Sequence, residues 1–244
     1  MIHILLAAYN EEKALGDVFN GIARALADGN FKVWVVDDGS TDGTARVAER
    51  WRSQIPLIFI RHEKNLGLGA ALHTGFSALI PALSNDDVAV TLDADNTHSP
   101  TQIPSLVQPI EDGRCDLVVA SRFVRGAKTV GVPFYRRCLS DGAAMLFRFL
   151  LPVSGLKDYT CGFRAYRGSL LKSAQEKWGR LATEKGFAAA AEIVVKLGAL
   201  HPRIKEVPLI LRYDRKPGVS KMRVGETIYR NLAVMARLRR LFRP

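Results

Sequence analysis

The sequence predicts an α/β fold built on a mostly parallel sheet, and three observations carry that prediction. Short apolar runs alternate with stretches of helical periodicity through the first half of the 244-residue chain. The runs are rich in Val, Ile, Leu and Ala, as strands covered on both faces are. Each main run ends in polar residues: Tyr9-Asn10-Glu11, Asp37-Asp38, Asp93-Ala94-Asp95 and Ser121-Arg122. In open α/β sheets, ligands bind beyond the carboxyl ends of the strands.

Residues 2–8 read as a first buried strand. Residues 12–28 place apolar side chains at 15, 18, 19, 22 and 26, a helical spacing. A second strand is predicted over 31–36, a helix over 44–51 and a third strand over 57–61. A glycine-opened helix follows at 68–80, a fourth strand at 88–92, a short helix at 102–111 and a fifth strand at 117–120. Beyond Arg122 the pattern changes. Helices are predicted over 136–151 and 188–197, and a strand over 204–213. Residues 227–242 form a basic amphipathic helix, with Ile228, Leu232, Met235, Leu238 and Phe242 on one side and Arg230, Arg237 and Arg240 near one another on a different side. The expected organisation is one catalytic-sized domain over 1–225 with a C-terminal helix over 226–244.

Composition narrows the function classes. Hydrophobic residues make up 48%, ordinary for a globular core. The apolar opening at 2–8 is short and lacks a preceding basic region, so no secretory leader is expected. The longest apolar stretch, 143–153, is interrupted by Arg148 and Pro152 and falls well below the ~20 residues that span a bilayer. Three widely spaced cysteines (Cys115, Cys138, Cys161) suggest a reducing compartment without a disulfide framework. From residue 203 onward twelve Lys/Arg face three acids, a net +9 of the chain's +11. Such a patch wants an anionic partner: nucleic acid, anionic lipid or a phosphorylated substrate. No nucleic-acid recognition motif accompanies it, so nucleic acid is not expected.

Val90-Thr91-Leu92-Asp93-Ala94-Asp95 is the sharpest feature. Two carboxylates at i and i+2, just past a buried strand, put like charges at the ligand edge of the sheet, and a cation bridging them relieves their repulsion. Mg²⁺ typically takes one or two carboxylates and completes its shell from substrate phosphates. At the end of the second strand, Asp37-Asp38-Gly39-Ser40-Thr41-Asp42 offers carboxylates to a base N–H or ribose hydroxyls; equally, Asp42 or Thr41 could cap the next helix. Asn65-Leu66-Gly67-Leu68-Gly69 lacks a full phosphate-binding fingerprint and reads as turn chemistry.

Together these stretches resemble inverting glycosyltransferase family 2, which has a GT-A fold, and within it the polyprenyl-phosphate hexosyltransferases. The motifs run in family order: Ala7 to Glu12, Val36 to Asp42, Asn65 to Gly69, Leu92 to Asp95, Ala120-Ser121-Arg122, Arg136-Arg137 with Ser140, Cys161 to Tyr166, Glu206-Val207-Pro208, and Arg215 with Gly218 and Ser220-Lys221. The resemblance implies a nucleotide-sugar donor, a Mg²⁺ or Mn²⁺ cofactor and a polyprenyl phosphate acceptor. It also implies a peripheral position on the cytoplasmic face of a membrane. Tyr9, Glu11, Val36 and Asp38 would hold base and ribose. Asp93, Ala94 and Asp95 would hold metal and diphosphate. Arg122 and Arg136 would contact phosphates, with Ser140 near that of the acceptor, and Arg215 and Lys221 would lie on a loop over the donor. Two positions depart from the family: Ala7 stands where Pro is common, and Thr97 where Gln is common, so Thr97 would be a weaker metal ligand, acting through water. For a hydroxyl acceptor, Asp158 or Glu192 would be the general base. The alternatives are a glycosyltransferase using a hydroxyl acceptor and, with less support from the downstream motifs, a sugar nucleotidyltransferase.

Overall fold

The computed structural model describes residues 1–27, 29–184, 186, 188–215 and 224–242; the side chains of 134–139, 224, 226–228, 240 and 242 lie outside that description. β1 (Ile2–Ala8) pairs in parallel with β2 (Phe31–Asp37) on one side and β4 (Val88–Thr91) on the other, and β2 pairs with β3 (Leu57–Arg61). β5 (Leu117–Ser121) pairs in parallel with β8 (Ile204–Pro208). Between β4 and β5 lies β7 (Arg164–Arg167), antiparallel to both, so that Ala165 faces Val90 on one side and Val118 on the other. Among the described residues the sheet runs β3-β2-β1-β4-β7-β5-β8. The expected strand at 204–213 divides. Its second part, β9 (Ile210–Arg212), leaves the main sheet to pair with β6 (Lys128–Val130).

Strand alternation sends successive side chains to opposite faces, and two apolar layers result. Ile4, Leu6 and Ala8 of β1 join Val33 and Val35 of β2 in one layer. That layer is covered by α1 (Leu15–Ala25), α2 (Thr44–Trp51) and α4 (Ile103–Glu111). Leu5 and Val36 face the other layer, beneath α3 (Leu68–Leu79), α5 (Phe134–Leu150), α6 (Gly168–Trp178) and α7 (Ala188–Gly198). α1 buries Leu15, Val18, Phe19 and Ile22, one stripe at helical spacing. It starts later than residue 12 because residues 11–14 are committed elsewhere: the Glu11 N–H donates to Thr44 Oγ1 at 2.8 Å and the Glu12 carboxylate accepts from Gly43 N at 3.0 Å.

The C-terminal helix α8 (Val224–Leu238) docks on α7 and α5. Its buried stripe is Asn231, Val234, Met235 and Leu238, whereas Leu232 is half-exposed. The expected apolar side is therefore rotated toward the core cluster in which Val234, Met235 and Leu238 join the Ala- and Val-rich α7. Two arginines of the basic side turn inward. Arg237 bridges Glu184 and Glu192, each at 3.0 Å, and Arg230 lies 3.7 Å from Glu184. Among the described residues, no helix is long and apolar enough to cross a membrane.

Candidate active site

The polar ends of β1, β2, β4 and β5 meet at one edge of the sheet. After β1 the chain turns through Asn10, held at φ 53°. Its N–H reaches Ser40 Oγ at 2.9 Å, and its Oδ1 accepts from Thr41 N at 2.9 Å. Tyr9 and Glu11 thus sit on a loop locked to the end of β2. Val36 is wholly buried, so it can offer a ligand only its backbone. Asp38 is 3% exposed. Its carboxylate accepts from His62 Nδ1 at 2.7 Å, Leu66 N at 3.0 Å and Gly67 N at 2.8 Å. In this structure Asp38 clamps the 62–67 turn, a tie the sequence did not reveal. Asp42 caps the start of α2 through Thr44 N at 2.9 Å.

The 65–69 glycines are turn chemistry with a packing reason. Gly67 lies at φ +93°, and a Cβ on Gly69 would stand 1.5 Å from the Glu184 carbonyl oxygen. Only glycine lets the 184 loop close against the start of α3.

Past β4, Asp93 is the more open of the two paired carboxylates, 45% exposed against 9% for the Asp95 residue. Thr97 donates its hydroxyl to Asp95 Oδ1 at 2.7 Å and its N–H to the same oxygen at 3.1 Å. Thr97 is buried at 3% exposure; its one hydroxyl proton goes to Asp95, and its oxygen keeps lone pairs that can still accept or ligate. The donor set fits a hard divalent cation, because two carboxylate oxygens leave room for phosphate and water to complete the shell. Among the described residues no third His, Cys, Asp or Glu builds a closed cage there.

Behind the pair, His98 stacks on Phe163 with ring centroids 5.2 Å apart. Burial works to lower its pKa, but Asp93, Cys161 and Asp95 outweigh burial and push it up to about 9. A cation at the carboxylates would counter that field. The same loop is tied to β9, since Arg212 N donates to Thr97 O at 2.9 Å. Arg215 follows three residues later, exposed at the end of a 3₁₀ turn; Lys221 lies outside the described residues.

Arg122, following β5, forms the second centre. Nε donates to Asp158 Oδ2 at 2.8 Å, Nη2 to Asp158 Oδ1 and Thr160 Oγ1 at 2.6 Å each, and Nη1 to Ser140 Oγ at 2.6 Å. Four of the five guanidinium N–H groups are so engaged among the described residues. Burial favours the neutral arginine, but the Asp158 carboxylate raises its pKa further. Asp158 is fully buried; burial would raise its pKa, yet Arg122 and backbone N–H groups hold it below the usual carboxylate range.

Ser140 and Arg136 are one turn apart on α5; the Arg136 side chain lies outside the described set. The structure brings Arg122 to Ser140 across 18 residues of chain. Neither expected base is open. Asp158 is bound as above. Glu192 is 0% exposed and accepts from Thr183 N, Glu184 N and Lys196 Nζ, and it pairs with Arg237. Burial pushes Glu192 up, but the Lys196 and Thr183 bonds hold it low. Thr160 joins the two centres: it bonds Arg122 and also lines the pocket that Asp93 faces.

The sequence pattern described as "Glycosyl transferase family 2" matches residues 3–174. A dolichol-phosphate mannosyltransferase of Pyrococcus furiosus is 34% identical over 238 residues. The match takes in 97% of this chain and 63% of that protein's length. An undecaprenyl-phosphate mannosyltransferase of Micrococcus luteus is 32% identical over 228 residues, covering 92% of this chain and 89% of that one. Among solved structures, glucosyl-3-phosphoglycerate synthase from Mycobacterium tuberculosis, in complex with Mn²⁺, UDP and glucosyl-3-phosphoglycerate, superposes with a TM-score of 0.68 at 25% identity. That likeness covers 99% of this chain and 79% of the synthase.

Proposed function

The chain belongs to glycosyl transferase family 2, and from that premise we propose that it transfers a hexosyl group from a GDP- or UDP-sugar to a polyprenyl phosphate, with inversion at the anomeric carbon. The mostly parallel sheet flanked by helices is the GT-A arrangement expected of the family. The mannosyltransferase names of the relatives support the lipid phosphate as acceptor.

One observation favours that acceptor above a hydroxyl. Asp158 and Glu192, the carboxylates that could deprotonate an alcohol, are both fully buried in ion pairs. A phosphate monoester has a second pKa of ~6 and is already largely dianionic at neutral pH, so it needs no base.

In this reading Tyr9, Glu11 and the Val36 backbone border the nucleoside. Asp38 supports that border by fixing the 62–67 turn. Asp93 and Asp95 would hold Mg²⁺ or Mn²⁺, with Thr97 orienting Asp95. When bound, the ion neutralises charge on the departing diphosphate. Arg122, pinned by Asp158 and Thr160, keeps a fixed N–H direction for a phosphate oxygen, and Ser140 and Arg136 complete the acceptor phosphate's surroundings. Arg215 and Lys221 would close over the donor.

The acceptor's lipid chain calls for contact with a bilayer. Phe149 and Met145 on α5 are 82% and 69% exposed, and Tyr229 and Leu232 on the adjoining α8 are 73% and 48% exposed. Two exposed apolar pairs on adjoining helices support peripheral attachment to a membrane by α5 together with α8.

The test is transfer with Mg²⁺ or Mn²⁺ from a panel of GDP- and UDP-sugars, with and without a short polyprenyl phosphate. Sugar on the lipid phosphate is the expected product. Metal-dependent donor turnover that ignores the lipid would move the acceptor to a hydroxyl compound.

A further inference from the structure

α8 is tied to the rest of the fold by charge as well as by its apolar stripe. Arg237 reaches Glu184 Oε1 and Glu192 Oε1, each at 3.0 Å. Glu192 is wholly buried on α7 and already pairs with Lys196 Nζ at 2.8 Å. Its second oxygen accepts from Thr183 N at 2.8 Å and Glu184 N at 2.9 Å. Lys196 Nζ in turn donates to the carbonyls of Arg180 and Leu181 at 2.8 and 3.1 Å. Residues 180–184 therefore owe their course to Glu192, Lys196 and Arg237, and the last of these comes from α8. Removing Arg237 leaves Glu192, sealed from solvent, with one countercharge fewer.

The other side of the same loop rests on the candidate site. The Glu184 carbonyl oxygen lies 1.5 Å from where a Cβ of residue 69 would stand, so the loop is seated directly on the start of α3. Just before it, Leu66 N and Gly67 N are the groups held by Asp38, at the nucleoside border. Leu68 of α3, with Ala190 and Ile193 of α7, lines the pocket that Asp93 also lines. The 180–184 loop thus joins the two helices that wall this pocket. Close-packed contacts pass a displacement on rather than absorb it.

We propose that Arg237 is a positioning residue for the nucleotide-sugar: it fixes the 184 loop, and through it the start of α3. α8 is then a working part of the donor site, and not only the helix that carries Tyr229 and Leu232 to the surface. Arg237 touches no donor atom and acts through Glu184 and Glu192. The proposal rests on the nucleotide-sugar reading of the Asp93–Asp95 site.

The test is the dissociation constant for GDP, UDP, GDP-mannose and UDP-glucose in Mn²⁺, by titration calorimetry, for wild type, Arg237→Gln and Arg239→Gln. Arg239 is exposed on the turn that follows α8, so its replacement removes the same charge nearby and leaves the ties to Glu184 and Glu192 in place. Thermal melts by circular dichroism set a temperature at which all three proteins are folded, so that lost stability alone does not alter the affinities. The proposal expects Arg237→Gln to bind the active compounds at least about fivefold more weakly, the scale of coupling between separate sites, and Arg239→Gln to match wild type. Wild-type affinity in folded Arg237→Gln overturns it and leaves these ion pairs a role in stability only. Equal losses in the two variants also overturn it, because positive charge would then attract the anionic donor without positioning anything. If Arg237→Gln does not fold, Arg237→Lys, which keeps the charge but not the fork that reaches two carboxylates, decides by the same comparison. Wild type that binds none of the four compounds refutes the nucleotide-sugar reading itself, and this proposal with it.

Discussion

Replacing Asp158 distinguishes a structural clamp from a catalytic base. Asp158→Ala removes two side-chain bonds from Arg122, at 2.8 and 2.6 Å, and the acceptor for the N–H groups of Arg122 and Cys161 at 3.1 and 3.0 Å. Breaking a buried pair by deleting one partner costs about 3–5 kcal/mol. Arg122 keeps 21% of its side chain in solvent, so water recovers part of the loss and the lower end, ~3 kcal/mol, is expected. With a urea m-value of ~2–3 kcal/mol/M, the unfolding midpoint falls by about 1 M. Asp158→Asn keeps the shape and one acceptor oxygen and should lose less stability. The sign with pH follows from the depressed pKa of Asp158. Its contribution is present above the unfolded carboxylate value of ~4 and is lost as pH falls through the lower folded value. Urea melts of the three proteins at neutral pH are the assay, with turnover in parallel. A midpoint shift under ~0.3 M for Asp158→Ala, together with a hundredfold or greater fall in kcat for Asp158→Asn, would refute the clamp and restore the base.

Two shorter predictions test other contacts. Thr97→Val keeps the shape but removes the 2.7 Å hydroxyl bond to Asp95. Mn²⁺ affinity, read from the metal dependence of donor binding, should fall ~10–100-fold with the fold intact, and an unchanged metal dependence would show that Asp95 needs no such support. Asp116 is held at a pKa of about 2, chiefly by hydrogen bonds from Arg203, burial opposing, with Arg167 adding to the effect. Its stabilisation is present above ~4 and lost as pH falls toward ~2, so Asp116→Asn should flatten the acid limb of the stability curve, and an unaltered limb would contradict the assignment.

The sequence made β1, β2, β4 and β5 legible because strands covered on both faces must be continuously apolar. The same rule hid β7. Arg164-Ala165-Tyr166-Arg167 has two charges in four residues, yet Arg164 lies against backbone carbonyls and Arg167 against Asp116 at 3.2 Å. The Asp93–Asp95 pair was readable as local spacing after a strand. The Arg122–Asp158 clamp joins residues 36 apart, and no local pattern signals a contact between loops of different strands. α6 has little signature in the sequence, although Leu170, Leu171 and Ala174 form its buried side. On α8, Leu232 shares helical spacing with Met235, but the fold buries Val234 instead. Charge was similarly ambiguous: Arg230 and Arg237 count toward a basic surface in the sequence but turn to Glu184 and Glu192 in the fold.

An acceptor that arrives already ionised suits a site whose candidate bases are sealed. The direct measurement is transfer from one active nucleotide-sugar, in Mn²⁺ at neutral pH, to a polyprenyl phosphate and to the polyprenol of the same length. Glycosylated product is expected from the phosphate and none from the alcohol. Product from the alcohol at a comparable rate would contradict it, because an exposed base would then be required where the structure holds Asp158 and Glu192 in ion pairs.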